Sequence, residues 1–445
     1  MYDLLIENVH IVKSDKVFIG NVGIKGEKIV SIFSGECENI ESLKKIDGTD
    51  KFLFPGFIDS HVHLNDPGFT WREDFPHGTK AAAIGGITTI IDMPLQNEPA
   101  LTDSNVFLSK EKYLIDKSYV DYAFWGALVN YNLNKLEELN ESGVLAFKCF
   151  FAPVSNDYTP LNAGEIKHAL SILKKFDGLA GFHCEDYSII TFEEKKALSE
   201  NRLSAKDFLN SRPVSAELIA VKTIICLAKE TGAKVHICHV SHPLVAEEIK
   251  KAKADGVKIT AETCPHYLIF NEEDLIKNGA LFKCAPPLRK KEDSLWPYIL
   301  DGTIDIISSD HSPCAEYEKD NDNIFKAWGG ISGIQNGFQI ILNESQKRNI
   351  PYTLLSKLFS YNASKIFGLN NKGDIEIGYD ADLVLVDLKK NWEITTESLE
   401  YLNKISAFTG VKGKGTPICT ILRGKILVEN NNVMLNVGYG KLIKK

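Results

Sequence analysis

Six side chains dominate the chemistry open to this 445-residue chain: His61, His63, Lys148, His183, His239 and Asp310. Each ends, interrupts or follows a short apolar run. His61-Val62-His63 closes the run Phe57–Leu64, and Lys148 interrupts Val144–Phe151. His183 closes Leu179–Cys184, His239 closes Val235–Val240, and Asp310 follows Ile304–Ser309. Residues i and i+2 of a strand point to the same side, so His61 and His63 can share one ion. Neutral imidazole suits zinc and its neighbours in the transition series. Any one of these histidines alone reads as a hydrogen-bonded core residue. Their joint occurrence at the ends of separate runs points to a metal site.

Lys148 is the most informative of the six. Lysine is almost never fully buried without a partner, yet apolar residues and Cys149 surround it. The plain reading is a lysine that snorkels to the rim or pairs with an acid. The sharper reading is covalent: a neutral buried amine takes up CO2 and becomes a carbamate able to bridge two metals. An unmodified ammonium beside two dications would be repelled. A carbamate, Asp310 and a bridging hydroxide together nearly balance them. Asp310 followed by His311 can cap a helix. Beside a metal it can instead ligate one ion and take the proton of a water whose pKa the metal lowers to near 7.

These residues need a scaffold that gathers them. Eight short apolar runs, at Phe57–Leu64, Thr88–Met93, Tyr122–Leu128, Leu145–Phe150, Leu179–Cys184, Val235–Val240, Ile259–Cys264 and Ile304–Ser309, alternate with helical stretches. Near-continuous apolar strands alternating with helices predict a parallel sheet covered on both faces. Eight such units predict an α/β fold of the (β/α)8 barrel type, whose strand ends converge on one face; a doubly wound sheet is the alternative. Both chain ends are β-rich instead: Leu4–Val12, Val17–Ile24 and Lys28–Phe33 at the start, Asp374–Ile377, Ala381–Asp387 and Thr420–Val428 at the end. They are expected to pair into a small β-sandwich domain of residues 1–53 plus 370–445, around a barrel of residues 54–369.

Composition narrows the function classes. The net charge is −8 and no basic cluster is interleaved with aromatics, which argues against a nucleic-acid partner. No apolar run reaches the ~20 residues of a membrane helix. The N-terminus lacks a signal peptide's basic start and apolar core, so a cytoplasmic protein is expected. The nine cysteines form no CxxC pair and read as buried thiols. Only six residues are arginine.

Pro55-Gly56-Phe57-Ile58-Asp59-Ser60-His61-Val62-His63 resembles the opening signature of the amidohydrolase superfamily, in its cyclic amidase branch of dihydroorotases, hydantoinases (dihydropyrimidinases) and allantoinases. The likeness runs to Gly378-Tyr379-Asp380-Ala381-Asp382-Leu383-Val384, similar to the family's closing β segment. It implies a binuclear centre, with zinc the first choice of metal and CO2 needed for lysine carbamylation. His61, His63, Lys148 and Asp310 would hold the more buried ion. Lys148, His183 and His239 would hold the more exposed one. It also implies Lys148 as N6-carboxylysine, Asp310 as the catalytic acid–base group, and a homodimer or homotetramer.

Within the branch, Asp92-Met93-Pro94-Leu95, Glu262-Thr263-Cys264-Pro265-His266-Tyr267, Lys283-Cys284-Ala285-Pro286-Pro287-Leu288-Arg289, Ser309-Asp310-His311-Ser312-Pro313-Cys314 and Trp328-Gly329-Gly330-Ile331-Ser332-Gly333 are similar to allantoinases. Dihydroorotases usually carry an Arg two residues after the HxH pair, which grips a carboxylate; here Asn65 stands there, suiting a neutral ureide. The resemblance implies opening of (S)-allantoin to allantoate, with Asn65, Gln96, Cys284 and Ser312 as substrate contacts. Dihydroorotase and hydantoinase are the alternatives. A non-enzymatic assembly protein of the same fold is disfavoured by the complete ligand set. Three segments depart from the allantoinase pattern: Gln96-Asn97-Glu98, the stretch Asp66–Asp74 and the loop Ala152–Asn162. Arg72, in the second, is expected on the surface.

Overall fold

A computed structural model describes residues 1–35, 40–152 and 158–445. Five strands open the chain: β1 (Tyr2–Val12), β2 (Val17–Lys25), β3 (Lys28–Phe33), β4 (Ser42–Asp47) and β5 (Phe52–Pro55). β1 is the hub, antiparallel to β2 and parallel to both β4 and β5. Its register shifts between Ile6 and Val9, where Asn8 takes a left-handed φ of 54°. That bulge keeps Leu4, Ile6, Val9 and Ile11 in one buried cluster despite the extra residue between them.

The chain then enters the barrel. Its strands are β6 (Phe57–Val62), β7 (Ile87–Asp92), β8 (Asp121–Ala127), β9 (Ala146–Phe150), β10 (Leu179–His183), β11 (Lys234–Ile237), β12 (Ile259–Thr263) and β13 (Ile306–Ile307). They lie side by side in chain order, all parallel. Each of the eight expected runs overlaps one strand. Helices α1 (Phe75–Ile84), α2 (Ser104–Tyr113), α3 (Leu136–Ser142), α4 (Ala163–Leu173), α5 (Tyr187–Ser199), α6 (Ala205–Ser211), α7 (Val214–Thr231) and α8 (Pro243–Ala254) fill the crossovers from β6 to β12. The ring closes where Val62 bridges His311 and the His63 N–H donates to the His311 carbonyl at 2.8 Å.

Inside the barrel, Trp125 of β8 crosses the floor, its Nε1 donating to the Ser60 carbonyl at 2.8 Å. Gly181 of β10 makes room for it: a Cβ there would lie 2.6 Å from the indole. β13 is shorter than the run that encodes it. The Ser309 N–H turns to the Asp59 carboxylate (3.1 Å) and Asp310 adopts a left-handed φ of 45°, so the ladder stops early.

The chain returns as β14 (Leu383–Glu393), β15 (Lys412–Leu422), β16 (Lys425–Glu429) and β17 (Asn432–Val433). β14 pairs antiparallel with β5, so the expected β unit built from both ends is one nine-stranded mixed sheet. Two local expectations are corrected. Residues 374–377 form no strand, running from a bend at 374 to a turn at 377, because Gly373 (φ 84°) and Gly378 (φ 90°) break the extended path at both sides. Thr420–Val428 is two strands, joined by a tight turn at Arg423 (φ 44°) and Gly424 (φ 74°). Lys372 ties sheet to barrel: its Nζ bonds Asp382 at 2.5 Å and Asp121, the first residue of β8, at 3.0 Å. Among the described residues, no helix is long and apolar enough to cross a membrane.

Candidate metal and active site

All six expected residues meet at the C-terminal mouth of the barrel, lining one cavity of about 350 Å³. His61 ends near the close of β6, Lys148 is the middle residue of β9, and His183 ends β10. His239 lies two residues past β11 and Asp310 three past β13, both with left-handed φ (37° and 45°). Such strained backbone persists only where surroundings over-determine it, and it clusters at functional sites.

The donors fall into two groups. In the first, Asp310 Oδ1 lies 3.2 Å from His61 Nε2 and 3.3 Å from His63 Nε2. In the second, His183 Nδ1 lies 3.0 Å from His239 Nε2. Carboxylates behind the rings set their tautomers. Glu262 bonds His61 Nδ1, which leaves the Nε2 lone pair facing Asp310. Glu185 bonds His183 Nε2 at 2.8 Å, which leaves Nδ1 facing His239. Ligating histidines characteristically donate their second N–H to a carboxylate in this way.

Electrostatics agree with that assignment. Burial, then the charge of Lys148, push His61 down to about 4. Burial drives His239 well below the usual imidazole value, helped by His183 and Lys148. Burial raises the Asp310 carboxyl, but the imidazoles of His61, His63 and His239 outweigh it and hold the group well below the carboxylate range. The result is neutral rings at His61 and His239 and an ionised Asp310, a donor set built for cations. Lys148 is the exception. It is fully buried, and its Nζ has no hydrogen-bond partner among the described residues. The Phe150 ring, 5.1 Å away, is its cation–π contact. A buried amine that lines the same cavity as both groups of donors fits a bridging modified lysine.

Three of the four expected substrate contacts, Gln96, Cys284 and Ser312, line the cavity. Gln96 presents a buried Oε1 without a hydrogen-bond partner among the described residues. Asn65 does not line it: the side chain is fully buried, with Nδ2 donating back to the His63 carbonyl at 3.1 Å. Arg72 is half-buried, not free on the surface. It grips Glu318 through Nε (2.8 Å) and Nη2 (2.5 Å), with its guanidinium 3.9 Å from the Trp328 ring that lines the cavity. Residues 153–157 of the Ala152–Asn162 loop lie outside the described residues.

Several supporting residues escaped sequence reasoning. Glu262 stands 201 positions from His61, and its signal was an acid inside an apolar strand. Asp59 accepts from the backbone N–H groups of His61 (3.2 Å) and Ser309 (3.1 Å), joining the first and last strands of the ring. Arg212, in the cavity wall, donates to Glu185 at 2.6 Å. Arg212 and His183 outweigh the effect of burial and hold Glu185 down to about 2.

Comparison with known proteins places this arrangement. The model of the amidohydrolase family matches residues 52–427. The chain is 37% identical over 437 residues to an allantoinase of Salmonella choleraesuis (strain SC-B67), covering 96% of this chain and 95% of that one. An allantoinase of Salmonella enteritidis is likewise 37% identical, over 438 residues, with 96% and 95% covered. Among solved structures, the L-hydantoinase (dihydropyrimidinase) of Arthrobacter aurescens superposes with a TM-score of 0.97 at 29% identity, covering all of both chains. The D-hydantoinase of a Thermus species superposes at 0.93 and 26%, covering 99% of each. The chain therefore belongs to the amidohydrolase family, as an enzyme of its allantoinase-like cyclic amidase branch.

Proposed function

We propose that the protein hydrolyses the ring amide of a cyclic ureide, opening (S)-allantoin to allantoate. The observation that carries the chemistry is the gathering in one cavity of two inward-facing donor groups and a buried Lys148 whose Nζ has no hydrogen-bond partner among the described residues. We assign His61, His63, Lys148 and Asp310 to one ion and Lys148, His183 and His239 to a second, zinc in both positions. Such ions supply Lewis acidity and a water acidic enough to be a nucleophile at neutral pH.

The chain's own residues do the rest. The Lys148 amine, in its unprotonated form, adds to CO2 and releases a proton, leaving a carbamate anion where a cation would be repelled. Asp310, ionised at rest, takes the proton of the attacking water. It then returns that proton to the ring nitrogen as the amide C–N bond breaks. Transfer by a positioned acid of this kind contributes roughly 10²–10⁴-fold. Gln96, Cys284 and Ser312 line the walls that contact the ring, Gln96 through its carbonyl oxygen.

Two observations support a neutral substrate over a carboxylate. The position after the HxH pair that serves dihydroorotases holds Asn65, and Arg72 is already committed to Glu318. The 37% identity to allantoinases points the same way. Steady-state rates on (S)-allantoin, dihydroorotate and hydantoin, measured side by side, test the assignment. Allantoin is expected to give the highest kcat/KM; a preference for either other ring would transfer the function to it.

A further inference from the structure

Two of the six arginines, Arg212 and Arg289, stand beside the site without touching any of the six candidate ligands. We propose that they are positioning residues, joined with Glu185, Glu217 and Ser241 in a polar belt that fixes His183 and His239 at the spacing an ion needs. This rests on the ligand set proposed above.

The belt can be traced bond by bond. Glu185 Oε2 faces His183 Nε2 at 2.8 Å and accepts from Arg212 Nη1 at 2.6 Å. The Arg212 carbonyl accepts from Arg289 Nη1 at 2.8 Å. Arg289 then donates through Nε to Ser241 Oγ and through Nη2 to Glu217 Oε2, each at 2.9 Å. Glu217, on α7, accepts the Ser241 N–H at 3.0 Å and its hydroxyl at 2.5 Å. Ser241 is two residues beyond His239. Apart from Arg212 in the cavity wall, every member is buried.

Two arguments give this belt a task. β10 ends at His183 and β11 at Ile237, so Glu185, His239 and Ser241 stand past the β ladder. The Cys238 and Val240 N–H groups still reach the Phe182 and Glu262 carbonyls (3.1 and 2.8 Å), but Glu185 and Ser241 are held by the side-chain bonds of the belt, and His239 between them has a left-handed conformation. In addition, burying one guanidinium and two carboxylate groups, with a second guanidinium partly covered, carries a desolvation penalty that apolar packing would avoid, so stability alone is a poor reason for the belt. The belt makes no bond to His61, His63 or Asp310; Glu262 and Asp59 bond His61, and Asp59 also bonds the Ser309 N–H beside Asp310. Its effect must therefore be selective for one ion.

The test is cobalt(II) titration of chelator-stripped full-length protein in bicarbonate buffer, followed by the visible ligand-field spectrum. Wild type is expected to take up two ions. In Arg212→Gln and in the isosteric Glu185→Gln, one ion should bind about 10–100-fold more weakly while the other stays within about threefold, the usual size of such effects on metal affinity. Arg212→Lys, which can still reach Glu185 with one N–H, should recover part of the loss. Equal weakening of both ions, or no weakening of either in both variants, would overturn the inference alone. A wild type that takes up fewer than two ions would overturn it together with the ligand set beneath it.

Discussion

Replacing Lys148 by methionine separates the cost of this residue from its use. The side chain is fully buried and its Nζ lacks a hydrogen-bond partner among the described residues. A buried polar group left unsatisfied costs about 1–3 kcal/mol, more if charged, and the Phe150 contact offsets only part of that. Methionine matches the length, fills the same space and asks for no partner. In metal-free protein, Lys148→Met should therefore gain about 2 kcal/mol. With an unfolding entropy of roughly 2 cal/mol/K per residue, spread over 445 residues, that is a rise in Tm of about 2 °C. With zinc and bicarbonate present the order should invert. An ion at a thousandfold its Kd adds about 4 kcal/mol to a protein that can bind it, and the variant cannot. Calorimetry of both proteins, stripped and loaded, reads the two differences. A metal-free Met variant that melts below metal-free wild type would refute the reasoning, since Lys148 would then be contributing stability as an ordinary lysine.

Asp310→Asn should lower turnover by roughly 10²–10⁴-fold with an unchanged circular dichroism spectrum; ring-opening kinetics within tenfold of wild type would remove Asp310 as the proton carrier. Glu262→Gln should weaken metal binding about 10–100-fold, read by zinc competition with a chromophoric chelator, because the amide no longer favours the Nδ1–H tautomer of His61. Glu73 is fully buried, and burial raises its carboxyl to about 8. The native state thus binds more protons than the unfolded chain between the ordinary glutamate value and about 8, and stability falls as pH rises through that window. Glu73→Gln should remove this slope. Its advantage over wild type in urea midpoint should grow from pH 5 to pH 8 and level off above; a constant difference would count against a protonated native Glu73.

Much of the site was legible because the barrel imposes a simple rule. Near-continuous apolar runs become parallel strands, and polar residues at their C-terminal ends face one mouth. His61, His63, Lys148, His183, His239 and Asp310 could be read that way without a structure. Local backbone chemistry was less legible. Gly373 and Gly378 removed an expected strand, and Arg423-Gly424 split another in two. Both depend on left-handed residues that β-propensity does not register.

The sequence by itself determined the alternation of strand and helix, and with it which residue types reach the barrel mouth. Only the tertiary structure decided what each of them touches. Glu262 and His61 are 201 residues apart, Arg212 and Arg289 are 77 apart, and Asp59 and Ser309 are 250 apart. Periodicity is a property of neighbours along the chain, whereas a tautomer or a ligand spacing is set by groups brought together in space. The same division applies to the substrate walls. The family resemblance made Asn65 a substrate contact and Arg72 was expected on the surface, whereas packing turned one back onto the His63 carbonyl and gave the other to Glu318.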